Sequence, residues 1–132
     1  MSYLLDAHAL IWAITEPEKL SGKVVDILEN PSNEIFVSAV TFWEISLKYS
    51  LGKLDLRGVS PDELPGIAIE TGFSHLSLSP IESANYHKLN ADWHRDPFDR
   101  MLIWQAINNN LILVSKDKAV AQYKSIGLKL VW

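Results

Sequence analysis

Five short runs punctuate this chain: Tyr3-Leu4-Leu5, Ile35-Phe36-Val37-Ser38, His75-Leu76-Ser77-Leu78, Leu111-Ile112-Leu113-Val114 and Leu128-Lys129-Leu130-Val131. They do not show the alternation of polar and apolar residues that marks a strand wetted on one face. Short, near-continuous apolar runs are how parallel strands covered on both faces read. Between them lie segments with helix signals. Residues 7–15 are helix-compatible and stop near Glu16-Pro17-Glu18, and Ser21 can cap a helix to about Glu29. Thr41 is the expected cap of a helix carrying Phe42, Trp43, Ile45 and Tyr49. Ser60-Pro61 opens a helix that Gly72 stops, Ser79-Pro80-Ile81-Glu82 has the form of a capping box, and Asp96-Pro97 starts a helix through Asn108. Strand and helix alternate. The expected fold is α/β: a three-layer α/β/α sandwich around a four- or five-stranded parallel sheet.

A chain of 132 residues without repeats, low-complexity tracts or a linker predicts one domain over 1–132. Cysteine is absent, which excludes disulfides, thiolate zinc sites and cysteine nucleophiles. No apolar run approaches the roughly 20 residues that cross a bilayer. The opening Met1-Ser2-Tyr3-Leu4-Leu5-Asp6 has neither a basic region nor a cleavage site. A soluble, cytoplasmic protein is therefore expected. The net charge of −4 speaks against a protein that coats nucleic acid. It is compatible with an enzyme that sequesters acids around a metal.

In open parallel sheets, sites form beyond the carboxyl ends of the strands. Asp6 directly follows the first strand, and Asp117 lies three residues past the fourth. Glu44 sits in the helix after the second strand. Asp96 and Asp99 occupy the first turn of the helix before the fourth. Each acid has a plain explanation as a cap or as a complement to a helix dipole. Asp96 fits that explanation best, because Pro97 follows it. Glu44 fits it least, since it stands between Trp43 and Ile45 among apolar neighbours. Carboxylates gathered in one place repel unless a cation joins them. Oxygen-only ligands favour Mg²⁺ or Mn²⁺ over zinc or copper.

Four segments together resemble a known family. These are Leu4-Leu5-Asp6-Ala7-His8-Ala9-Leu10-Ile11-Trp12, Ser38-Ala39-Val40-Thr41-Phe42-Trp43-Glu44-Ile45, His94-Arg95-Asp96-Pro97-Phe98-Asp99-Arg100-Met101-Leu102-Ile103 and Leu113-Val114-Ser115-Lys116-Asp117. In this order the chain resembles PIN-domain proteins, and among them the VapC-type toxins of bacterial toxin–antitoxin pairs. The resemblance runs from the first strand to the last. It implies an α/β/α fold and a metal-dependent endoribonuclease that uses Mg²⁺ or Mn²⁺. Carried over residue by residue, the family acids fall on Asp6, Glu44, Asp99 and Asp117. Asp96 remains open as the third acid, or as a group acting through a bound water. The resemblance also implies a homodimer held inactive by a small antitoxin protein.

The substrate side is less sharply written. Arg95, Arg100 and Lys116 flank the acids and could hold RNA phosphates, or form salt bridges on a solvated face. Trp43, Trp93 and Trp104 could stack on unpaired bases, although core or interface roles are commoner. His8, His75, His87 and His94 show no ligand spacing among themselves and read as structural. Phe42, Tyr49, Leu54, Leu56, Leu64 and Ile67 either form a groove for a partner segment or belong to the core. The competing reading is an α/β signalling or protein-binding module without nuclease activity. Receiver-like domains carry adjacent acids after the first strand, whereas Asp6 stands alone. A haloacid dehalogenase-type site needs an acid where His8 stands.

Overall fold

The computed structural model describes all residues, Met1–Trp132. The elements run β1 (Ser2–Leu5), α1 (Ala7–Thr15), α2 (Gly22–Glu29), β2 (Glu34–Ser38), α3 (Ala39–Ser50), α4 (Leu64–Thr71), β3 (Ser74–Leu76), α5 (Pro80–Asn85), α6 (Pro97–Asn108), β4 (Ile112–Val114) and β5 (Lys129–Val131). Short 3₁₀ turns cover Pro17–Lys19, Pro61–Glu63, Tyr86–Lys88 and Val120–Ile126. All five strands are parallel, in the order β3-β2-β1-β4-β5. No helix is long and apolar enough to cross a membrane.

Successive residues of β1 point to opposite layers, which is why its run shows no alternation. Tyr3 and Leu5 join a core with Leu10, Val24, Ile35, Val37, Leu64 and Ala68. Leu4, between them, joins Leu102, Ile103, Ala106, Leu113, Val120 and Tyr123 on the other face. These two apolar cores, one on each face of the sheet, make the three-layer α/β/α sandwich expected from the sequence.

The helix starts follow the sequence signals with one correction. Thr41 does not cap α3. Ser38, the last residue of β2, takes that role: its Oγ accepts from the Val40 amide at 3.0 Å and donates to Gln105 Oε1 at 2.5 Å. The strand thus turns into the helix with no loop between them. Thr41 and Glu44 move deeper into the helix, and both are buried. The capping box at Ser79/Glu82 forms as read, and Ser60, read only as a cap before Pro61, forms a second box with Glu63. The chain extends the sheet one way through β2 and β3, then crosses to the other side of β1 for β4 and β5. The strand order therefore reverses between β1 and β4, where α/β sheets open a crevice at their carboxyl ends.

Candidate active site

A cavity of about 420 Å³ opens at this crevice, walled by Asp6, Glu44, Asp99 and Asp117 together with Ala7, His8, Trp12, Lys48 and Lys116. The four acids come from four separate chain segments, and the fold brings all of them to one cleft. Asp6 is held by its strand and helix at once. Its amide donates to the Val114 carbonyl at 3.2 Å, and its Oδ1 caps α1 by accepting from the Ala9 amide at 2.8 Å. The cap uses one oxygen and leaves the carboxylate on the cavity wall. Burial pushes its pKa above the ordinary carboxylate range. Hydrogen bonds from the Ala9 amide and the Ser115 hydroxyl oppose that shift, as does the charge of His8, while Glu44 adds to it.

Glu44 is 3% exposed. Its Oε2 accepts from Lys48 Nζ at 2.5 Å, whereas its Oε1 is buried without a partner. A buried carboxylate oxygen left unpaired costs free energy, and because Glu44 lines the cavity, a cation held there would satisfy it. Asp99 stands where the acids converge. Burial raises its pKa to about 7, reinforced by the charges of Glu44, Asp96 and Asp6 and opposed by His94. Asp96 caps α6, with Oδ1 accepting from the Phe98 amide at 2.8 Å and the Asp99 amide at 3.4 Å. It does not line the cavity. Replacing Asp96 by Ala should therefore cost about 1 kcal/mol of stability. An Asn there, which still caps, should leave activity within a few-fold, and Asp99→Asn should lose it. Melting curves and kinetics on the same preparations check both outcomes.

Two residues take other roles than those expected from the sequence. His94 is not merely structural: its Nε2 lies 2.8 Å from Asp117 Oδ2 and 3.1 Å from Asp99 Oδ2. These three groups lie close enough to suggest a metal triangle. The hydrogen bonds speak against His94 as its third ligand. His94 Nδ1 accepts from the Asp96 amide at 3.1 Å, which assigns the ring proton to Nε2. A nitrogen that donates to two carboxylates has no lone pair for an ion, so His94 clamps the two acids together. Arg100 faces away from the cleft, which corrects its expected role as a phosphate ligand. Its guanidinium donates to the Leu89 and Ala91 carbonyls at 2.7 and 2.5 Å, and to the Tyr86 and Tyr123 hydroxyls at 2.6 and 3.0 Å. These bonds tie the 86–94 segment to α6 and leave the side chain nothing to offer a substrate.

Of the remaining cations, Lys116 lines the cavity, and Arg95 is exposed beside the site without lining it. Lys48, also on the wall, has no counterpart among the residues read from the sequence. Trp104 is structural, its Nε1 donating to Asn85 Oδ1 at 2.9 Å. Trp43 and Trp93 remain exposed, each edge-on to another aromatic ring, Phe98 and Tyr123 respectively. Leu56 and Leu64 belong to the core, and Phe42 and Leu54 pack against it. The exposed apolar residues of this region are Tyr49, one of those read from the sequence, with Trp43, Leu47, Leu51 and Ile69; Trp43, Leu47 and Leu51 are spaced four residues apart along α3 and its end.

The oxygen donors, the unpaired Glu44 Oε1 and the raised pKa values of Asp6 and Asp99 together fit a hard divalent cation. A profile of known families matches the chain over residues 3–126, and that family is the PIN domain. The chain belongs to the PIN domain family. Among curated relatives of this PIN domain, Ribonuclease VapC22 of Mycobacterium tuberculosis is 25% identical over 129 residues, covering 98% of this chain and 97% of that protein. Solved structures share the fold. VapBC2 from Rickettsia felis, bound to a DNA fragment from its promoter, matches with TM-score 0.68 and 20% identity, covering 99% of this chain and 98% of that one. VapBC-1 from nontypeable Haemophilus influenzae matches with TM-score 0.66 and 18% identity, covering 99% and 97%.

Proposed function

We propose that residues 1–132 act as one PIN-domain unit, a metal-dependent endoribonuclease that is the toxin of a toxin–antitoxin pair. The observation that carries this reading is the convergence of Asp6, Glu44 and Asp99 on one cavity at the strand-order reversal, with Glu44 Oε1 unpaired. Asp6, Glu44 and Asp99 would hold Mg²⁺ or Mn²⁺, with Asp117 completing the site. Such an ion lowers the pKa of an attacking water and neutralises charge on the scissile phosphate.

The chain's own groups do the rest. The α1 cap fixes the Asp6 carboxylate, and the α6 cap fixes the helix that carries Asp99. His94 sets the distance between Asp99 and Asp117 through its shared proton. Lys116, and Arg95 beyond the rim, offer positive charge to the RNA backbone, which positions a strand without reading its sequence. Trp43 and Trp93 offer exposed ring faces to unpaired bases.

VapC22 is named a ribonuclease, and VapBC2 and VapBC-1 are toxin–antitoxin complexes of the same fold. They support a small antitoxin as partner, and the Trp43–Leu47–Leu51 stripe offers it an apolar surface. A homodimer in the cytoplasm is the corresponding assembly. The test is incubation of the purified chain, free of any partner, with single-stranded RNA. Cleavage in Mg²⁺ or Mn²⁺ that stops in excess chelator supports the reading. Intact RNA under all conditions would leave the fold as a protein-binding module.

A further inference from the structure

Lys48 occupies an unusual place for a lysine four residues after a glutamate. On an open helix such a pair is worth a few tenths of a kcal/mol and lies in water. Here the acid is buried, the pair lies inside the acidic cavity, and the ammonium takes one Glu44 oxygen at 2.5 Å while the other has no partner. Burial works against the charged ammonium, yet its pKa is raised overall by the Glu44 hydrogen bond and by the charges of Glu44, Asp96 and Asp99. Lys48 thus already neutralises part of the charge that a divalent ion would neutralise. Its side chain is 31% exposed, on a long flexible stem at the cavity wall. With Arg100 committed to the 86–94 segment and Arg95 outside the cavity, the wall keeps two lysines, Lys48 and Lys116.

We propose that Lys48 is the resident counter-ion of the metal-free cleft, displaced from Glu44 by the divalent ion and thereby turned onto a backbone phosphate of the RNA. The phosphate half of this statement rests on the nuclease reading above; the displacement half does not. An ion held at the free Oε1 neutralises the same carboxylate that binds the ammonium through Oε2 and repels that ammonium, so removing the ammonium's charge strengthens ion binding. Once displaced, the ammonium needs an anion, and the RNA phosphate that the ion itself attracts is the one at hand. Ion and RNA therefore reinforce each other's binding, and by linkage they do so reciprocally.

The experiment compares wild type with Lys48→Gln, which can still donate to Glu44 but carries no charge, and with Lys48→Arg, which keeps the charge. Mn²⁺ is titrated calorimetrically into each protein without RNA, and KM for a single-stranded RNA is then measured in saturating Mn²⁺. Lys48→Gln should bind Mn²⁺ roughly 3- to 30-fold more tightly than wild type. Its KM should rise roughly ten-fold, with kcat changed less, and the salt slope of KM should shrink by about 0.7, one phosphate contact on a single strand. Lys48→Arg should stay near wild type in both. Equal or weaker Mn²⁺ binding by Lys48→Gln, or an unchanged KM, overturns the proposal. If Lys48→Gln does not fold, carbon-13 lysine spectra of the wild-type protein decide: the Lys48 Cε signal shifts on saturation with Mg²⁺, and a signal that stays in place overturns the displacement. A wild-type chain that binds Mn²⁺ and cuts no RNA overturns the nuclease reading and the phosphate half with it. The Mn²⁺ titration still decides the displacement alone.

Discussion

Asp6→Asn and Glu44→Gln should each lower RNA cleavage by more than about 100-fold while the protein stays folded. Each substitution removes one anionic donor from a site in which few oxygens share one cation. Changes that merely loosen such ligands cost roughly 10- to 100-fold, so loss of a ligand charge should exceed that range. Both variants keep a side-chain oxygen, so Asn at 6 can still accept from the Ala9 amide and cap α1. Circular dichroism, melting curves and cleavage rates on the same samples separate chemistry from folding. Wild-type rates in either variant would remove that residue from the site.

The metal-free protein should be destabilised by its own acids, and neutralising Asp99 should relieve this. The Asp99 carboxyl rises from an ordinary 3.8 to about 7 in the fold. Between those values the folded chain holds a proton that the unfolded chain has released. Stability therefore falls as pH rises through this window, and the whole penalty remains above it. Allowing for the solvent that reaches Asp99, the penalty is about 2 kcal/mol. In chelator at pH 8, Asp99→Asn should then melt roughly 5–10 °C above wild type. Near pH 4 the two should converge. Saturating Mg²⁺ should reverse the order at pH 8, because it binds the folded wild-type site preferentially and adds about 2.7 kcal/mol at a hundred times its dissociation constant. Thermal melts at both pH values, with and without ion, measure every term. Identical melting of both proteins under all four conditions would mean that Asp99 is not in contact with the other acids.

The strands and most helix starts were legible in the sequence because their signals are local. An unalternating run such as Tyr3-Leu4-Leu5 requires cover on both faces, and Asp96-Pro97 is a start signal that tertiary context did not change. The start of α3 is ambiguous in the sequence because both Ser38 and Thr41 can cap. The choice fell to Ser38 through its contact with Gln105, 67 residues away. The four acids could be placed from strand ends and from the family resemblance, and the cleft contains all of them. What local sequence did not show was direction. Arg100 directly follows Asp99, yet one step along a helix turns a side chain by about 100°, here into the carbonyls of Leu89 and Ala91. His94 meets Asp117 across 23 residues, a contact that depends on where the turn after β4 lies. Lys48 did leave a trace, the four-residue spacing from Glu44, but only the burial of Glu44 separates it from an ordinary surface pair.

The termini of the RNA fragments give the most direct test of an acid-held ion activating water. If water attacks the phosphorus, the ribose 2′-hydroxyl is a bystander. Fragments made by the partner-free protein in Mg²⁺ or Mn²⁺ should then carry a linear phosphate on one end and a free hydroxyl on the other, and Asp6→Asn should make them more than about 100-fold more slowly. Fragments ending in 2′,3′-cyclic phosphate, or the same fragments from wild type in excess chelator, would contradict a metal-activated water at Asp6, Glu44 and Asp99.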